Sequence, residues 1–389
     1  MFNFNPHRLK EGSFKYLAAK ESGYKDGDLP PFTVADVDFY LPKHITDELH
    51  HFITHTTHGY NAMSTDYYHA FSVWMKTHHN FEIKKEWLTL STGVIPAIAN
   101  ALYAFTKEND AVCIMSPVYH VFYRIIDNLG RKSVINNLVL QDDNSYEIDF
   151  DMLEKQFIKE DVKVMLFCSP HNPIGKVWSK EDLIKLSNLC HKHDVLMIAD
   201  EIHLDLILND HKHIVYPTIH KEALNHTILC TAASKTFNLA GLKTSNIIIP
   251  NEALRKQYVN TLEKMTLGID SPNTLGLYTT QVVYEKGDEY LEEFIKLIEL
   301  NYKTIKETLS KHVPKIKVSP LEGTYLLWFD FRDLNLTHDE LIKTLQNEGL
   351  YLSSGLDFGI NGEGFMRMNI ATPHKFIVEA MKRLQNIGG

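Results

Sequence analysis

The chain has 389 residues, 44% of them hydrophobic and 23% charged, with 40 Lys and Arg against 49 Asp and Glu. That length exceeds what one compact core normally holds, so two domains are expected. The formal charge of -9 argues against a general nucleic-acid or anionic-membrane surface, since both need concentrated positive charge.

No apolar run approaches the length that crosses a bilayer, and Met1-Phe2-Asn3-Phe4-Asn5-Pro6-His7-Arg8 lacks the charged-then-apolar layout of a signal peptide. A cytoplasmic protein is therefore expected. Cys113, Cys168, Cys190 and Cys230 are far apart, and three lie in apolar runs, which reads as buried free thiols rather than disulfides or a zinc site. The 21 histidines include His50, His51, His55 and His58, then His211 and His213. No HExxH or Cys-rich companion accompanies them, so solvated histidines and no metal are expected.

In chain order, Phe32 to Phe39 is a short extended run carrying Asp36 and Asp38. Residues i and i+2 share a face of a strand, so the two suit acid-base work or a structural pair. Asp38 is read as structural, Asp36 as a substrate-side candidate. A helix starts near Lys43, Gly59 and Asn61 mark a turn presenting Tyr60, and a helix spans about 67 to 79. Leu88 to Thr92 alternates like a strand, and Gly93-Val94 then opens an apolar helix. Such a junction points free backbone N–H groups at an anion, although many strand-to-helix turns bind nothing.

Strand patterns follow at 111–115, ending near Tyr119, and at 162–169, ahead of Asn172. Another covers 195–199 and ends in Asp200, and Ile228 to Ala233 runs into Ser234-Lys235. Lys180 to His193 has helical spacing with Ser179 as N-cap. Apolar strands alternating with helices imply a parallel sheet covered on both faces, whose ligands sit beyond the carboxyl ends of the strands. Gly93, Tyr119, Asn172, Asp200 and Lys235 all fall at such ends.

After a strand at 245–249 the pattern turns to long helices at Glu252 to Leu267, Thr274 to Tyr284 and Tyr290 to His312. Short strands at 324–331 and 364–370 then flank a helix at 337–348, the signature of a small α/β domain.

Lys235 is a useful imine-forming nucleophile only if its surroundings lower its pKa; otherwise it is a surface lysine after a buried strand. Asn172 is able to bond a phenolic oxygen or form a turn, and Asp200 to pair with a pyridinium nitrogen or cap a helix. Their order at successive strand ends makes chance a poor explanation.

The sequence resembles the pyridoxal-phosphate (PLP) enzymes of the aspartate-aminotransferase fold, fold type I, and among them the MalY/PatB-type cystathionine β-lyases. The resemblance rests on Ala35-Asp36-Val37-Asp38-Phe39, Pro117-Val118-Tyr119, His171 to Trp178, Asp200-Glu201-Ile202-His203, Ser234 to Leu242 and Arg367 to Pro373. His203, where aminotransferases of this fold commonly carry Tyr, points to the lyase branch. Val37 in place of Met and Val121 in place of Pro are departures that bear on substrate preference.

The resemblance implies a large PLP-binding domain at 46–285, and a small domain built from 1–45 and 286–389. Lys235 would hold PLP as an imine and then act as base, and Asp200 would keep the ring nitrogen protonated. Tyr119 would stack on the ring, with Asn172 and His203 near its phenolic oxygen. Gly93, Val94, Ser234 and Lys243 would bind the phosphate, with Tyr60 of a neighbouring subunit in a homodimer. Arg367 would take the substrate carboxylate unless it serves as an inter-strand salt bridge; Asn172, Asp36 and Tyr60 would also face an amino-acid substrate. The activity implied is α,β-elimination on an S-substituted cysteine, in methionine biosynthesis. An aminotransferase and a regulatory binding protein on the same fold are the alternatives.

Overall fold

A strand covered on both sides needs apolar residues at every position, and such runs make the larger sheet. In this computed structural model, which describes residues 2–25, 28–266 and 271–388, the first strands are β1 Leu88–Ser91, β2 Ala111–Ser116 and β3 Lys132–Asn137. A hairpin of β4 Val139–Leu140 and β5 Tyr146–Glu147 intervenes. The sheet resumes with β6 Val162–Cys168, β7 Leu196–Asp200, β8 Thr227–Thr231 and β9 Ser245–Ile248. The spatial order is β1-β9-β8-β7-β6-β2-β3. Strands β8, β7, β6, β2 and β3 pair in parallel, whereas β9 runs antiparallel to both neighbours. The sheet is mostly parallel, as expected, with one reversed strand.

Period-two alternation splits these strands between two cores. Val112, Ile114, Val164, Leu166 and Ile198 pack with the helices Val94–Phe105 and His120–Asn128. Cys113, Met115, Met165, Phe167 and Met197 face the other way, toward Trp178 and Leu186. Each fully buried Leu, Ile or Phe side chain contributes roughly 1.5–3 kcal/mol, so the sheet is clamped from both faces and its strand ends are held in place. All four cysteines are buried and free, as the sequence suggests. Two of them flank a key carboxylate, because Cys168, Asp200 and Cys230 lie side by side in the register of β6, β7 and β8.

The helix Lys180–Lys192 starts at Ser179, whose hydroxyl accepts the Asp182 N–H at 3.0 Å. The helix Glu252–Thr266 occupies the expected place; its expected end at Leu267 lies outside the described residues. Asp288–His312 is the long helix foreseen from charge periodicity. The smaller sheet is antiparallel, in the order β10 Lys317–Val318, β11 Leu326–Asp330, β13 Phe365–Asn369 and β12 Ser353–Ser354. The N-terminal segment is tied to it, as the Phe32 N–H donates to Tyr351 O at 2.9 Å and the Asn369 N–H to Phe32 O at 2.7 Å. Among the described residues no helix is long and apolar enough to cross a membrane.

Candidate active site

The carboxyl ends of the parallel strands and one edge of the small sheet enclose a cavity of about 1100 Å³. Lys235 enters it from the turn after β8, with Nζ donating to Ala35 O at 2.8 Å. Burial lowers its pKa to about 8, against an upward pull from Asp36, with Arg367 adding to the fall and Asp200 opposing it. A lysine in this setting carries an appreciable neutral fraction near pH 7, which a surface lysine does not. The surface-charge alternative fails.

Asp200 closes β7 and is buried. Burial pushes its carboxyl up to about 7, opposed by the Ile202 N–H at 3.2 Å and by Lys235, and reinforced by Glu201. Such a group needs a cationic partner to stay ionised. Tyr119 stands at the N-cap of the helix His120–Asn128 and lines the cavity; burial raises its phenol, with Arg367 opposing.

Arg367, on β13, is buried. Its Nη1 donates to Asn172 Oδ1 at 3.0 Å, Nη2 donates to Ser353 Oγ at 3.3 Å, and Nε has no protein acceptor. Among the described residues it forms no ion pair, and its opposite numbers in the sheet are Trp328 and Ser353, so the salt-bridge alternative fails. Burial brings its pKa down to about 10, with Tyr119, Tyr325 and Asp357 opposing; it stays cationic at neutral pH with no carboxylate in ion-pair contact among the described residues. His203 is also buried, its Nδ1 unpartnered, and held well below the ordinary imidazole value by burial, then by Lys235 and Arg367. Neutral His203 is thus free to accept or donate one hydrogen bond.

The helix Val94–Phe105 begins at Gly93 with no side-chain cap. Gly93, Val94, Ser234 and Lys243 all line the cavity. Uncapped amides, a hydroxyl and an ammonium are the donor types that suit a phosphate-sized anion.

Three expectations need correction or refinement. Asp36 does not line the cavity: Arg8 Nη2 donates to its Oδ2 at 2.8 Å and Lys15 Nζ stands 3.2 Å from Oδ1, so cations of the N-terminal segment claim it. Asp38 joins the same cluster through Lys15, Arg8 and Tyr16, the structural role foreseen. His213 is not a solvated loop histidine, because its buried ring lies 2.7 Å from the buried Glu201 Oε2. Tyr60 is fully exposed and lies off the cavity of its own chain.

Sequence reasoning missed Ser353, the Ala35 carbonyl and Phe358, whose ring lies 4.7 Å below the Arg367 guanidinium. Phe358 ends a single 3₁₀ turn, Gly355–Phe358, too short for helix or strand periodicity to mark it.

The aminotransferase class I and II family matches residues 32–384. The chain belongs to that family. Within it, the chain is 36% identical to cystathionine beta-lyase PatB of Bacillus subtilis, over 92% of each chain. Its structure superposes on cystalysin from Treponema denticola, described as containing a pyridoxal 5'-phosphate cofactor, with a TM-score of 0.95, 34% identity and coverage of 100% of this chain and 98% of the other. A PLP-bound C–S lyase of Staphylococcus hominis matches with a TM-score of 0.86 at 30% identity, over 95% and 91% of the two chains. The resemblance read from the motifs is therefore borne out, and so is the fold. The residues present fit PLP: a lysine of lowered pKa, a buried acid lacking a cation, an unpartnered histidine and an uncapped helix start.

Proposed function

We propose that this protein is a PLP-dependent carbon–sulfur β-lyase acting on S-substituted L-cysteines such as L-cystathionine. The observation that carries the reading is Arg367, a buried guanidinium without a protein carboxylate, on the same cavity as Lys235. An α-amino acid satisfies both. The names of the relatives, cystathionine β-lyase and C–S lyase, give the direction of the chemistry.

PLP, when bound, supplies an aldehyde for an amine and a ring that takes up the electrons released at Cα. Lys235 would hold it covalently, Asp200 would pair with its ring nitrogen and Tyr119 would lie against its face. Asn172 and His203 would stand near its phenolic oxygen, with the Gly93 and Val94 amides, Ser234 and Lys243 at its phosphate. Once bound there, a pyridinium nitrogen would give Asp200 the cation it lacks.

Arg367 would bind the substrate α-carboxylate in a bidentate pair, for which a planar guanidinium is suited, and so orient Cα–H toward Lys235. The neutral amine of Lys235 removes that proton. The Cβ–S bond then breaks with its electron pair going to sulfur, and Tyr119, kept protonated by burial, is a proton source for the departing thiolate. The net reaction converts L-cystathionine and water to homocysteine, pyruvate and ammonia.

Tyr60, exposed and off its own cavity, would reach the phosphate of a second copy, making the enzyme a homodimer with shared sites. We take residues 46–285 as the cofactor-binding domain and 1–45 with 286–389 as the smaller one. We take the enzyme to be cytoplasmic and, with homocysteine as its product, to serve methionine biosynthesis.

The test is turnover of L-cystathionine by the holoenzyme without any keto acid. Equal amounts of pyruvate and homocysteine are expected. A requirement for a keto-acid acceptor would instead make the protein an aminotransferase. Binding to another protein with no amino-acid turnover would favour the regulatory reading.

A further inference from the structure

The cavity holds two charges that the chemistry above leaves unused. Arg124 and Asp357 both line it, both are exposed, and among the described residues neither forms a hydrogen bond or an ion pair. They lie on elements that are stitched together. The Val118 N–H donates to Phe358 O at 2.9 Å and the Tyr123 hydroxyl donates to the same oxygen at 3.0 Å. Asp357, next to Phe358, is thereby fixed beside the helix His120–Asn128, on which Arg124 stands one turn beyond His120 and on the same face.

The Phe358 ring is also the one that carries the Arg367 guanidinium. Through this stitching Asp357 stands next to the ring that carries Arg367, and its charge acts on that guanidinium. His120 reports both. Burial and then Arg367 hold its imidazole below the ordinary value, with Asp357 opposing and Arg124 adding to the effect.

A substrate whose α-carboxylate sits on Arg367 extends its S-substituent into the remaining cavity. A leaving thiol that is itself an amino acid ends in a carboxylate and an ammonium on one carbon, a compact pair of opposite charges matching an unpaired cation and an unpaired anion. A purely alkyl thiol has nothing to offer either.

We propose that Arg124 and Asp357 form a distal subsite for the α-amino-acid end of the leaving thiol, Arg124 taking its carboxylate and Asp357 its ammonium. This makes the preferred class cysteine S-conjugates of amino-acid thiols, cystathionine and cystine among them, over S-alkyl cysteines. The inference rests on the lyase reading for its setting.

The experiment compares L-cystathionine with S-ethyl-L-cysteine on holoenzyme of wild type, Arg124→Gln and Asp357→Asn. The ratio of their kcat/KM values should fall about tenfold in each variant, chiefly through KM, as expected for one charge-assisted contact. A ratio within twofold of wild type in both variants would overturn the subsite. Binding is read separately by calorimetry in a Lys235→Ala background, where turnover is blocked. Weaker binding of L-cystathionine relative to S-ethyl-L-cysteine upon adding Arg124→Gln supports the subsite even if wild type eliminates neither compound, a result that would count against the lyase reading alone. Unchanged relative binding rejects the subsite while leaving that reading intact.

Discussion

The Thr236 hydroxyl donates to Asp205 Oδ2 at 2.7 Å, locking the residue next to Lys235 onto a buried carboxylate. Asp205 Oδ1 is in turn met by Trp74 Nε1 at 2.9 Å and by His79 Nε2 at 2.7 Å. The turn that presents Lys235 is thus anchored to the helix Thr65–His79, far away in sequence. Burial alone would raise the Asp205 carboxyl, yet the bonds from His79, Thr236 and Trp74 hold it below the ordinary carboxylate range.

Thr236→Val should therefore cost about 1–3 kcal/mol of stability, because it strands a buried carboxylate oxygen, and Thr236→Ser should restore most of it. Denaturant unfolding measures both. Since the folded pKa of Asp205 is depressed, its stabilising contribution is present above the unfolded value of about 3.9 and is lost as pH falls through the folded value. Asp205→Asn should correspondingly flatten the acid limb of the stability profile.

In the proposed mechanism Lys235 sets a pH dependence for cofactor capture. Only the neutral amine attacks an aldehyde, so the rate at which apoprotein takes up PLP should climb with pH and level off above about 8, rising roughly tenfold per unit below that point. Absorbance of the resulting imine follows it. Lys235→Ala should give no such band, and its elimination rate should fall by at least about 10²–10⁴-fold, the range for a lost general base.

Asp200 opposes stability in the apoprotein. Its folded pKa of about 7 lies above the unfolded value, so the folded state binds more protons and stability declines as pH rises from about 4 toward 7. Asp200→Asn should raise the apoprotein Tm at pH 8 and leave it nearly unchanged at pH 4. In the holoenzyme the same change should lower kcat by about 10²–10³, as when one preorganised electrostatic contact to a reacting group is removed. A loss of apoprotein stability at pH 8 would contradict the burial argument.

Arg367→Ala should reduce kcat/KM for L-cystathionine by roughly 2–5 kcal/mol in free-energy terms, through loss of a buried charged contact. Arg367→Lys should rescue little, because a point charge cannot reproduce the two-pronged contact. Steady-state kinetics with holoenzyme distinguishes the two.

If Tyr60 completes a neighbour's site, inactive Tyr60→Ala and Lys235→Ala homodimers should regain activity when unfolded together and refolded. Each mixed dimer then holds one intact site, so recovery of about a quarter of wild-type activity is expected from random pairing. No recovery would argue against sharing between subunits.

Much of this protein is written locally. The continuous apolar runs that became β2, β6, β7 and β8, the Ser179 cap and the motif at Ser234-Lys235 all follow from side-chain period and type, which neighbours along the chain are enough to specify. β3 was not legible, because at the sheet edge only Val134 and Asn136 of its six residues are buried, leaving too weak an apolar pattern. The strand ends named Tyr119, Asn172, Asp200 and Lys235 in one dimension; chain order alone carried no information on which charges would meet. Folding turned Asp36 toward Arg8 and Lys15, left Arg367 without a carboxylate and set Phe358 beneath it. These contacts join residues from nine positions apart, Phe358 and Arg367, to 28 apart, Arg8 and Asp36, and it is burial and pairing beyond the period of any one helix or strand that fix whether a charged group is neutralised, shifted in pKa or kept free for a ligand.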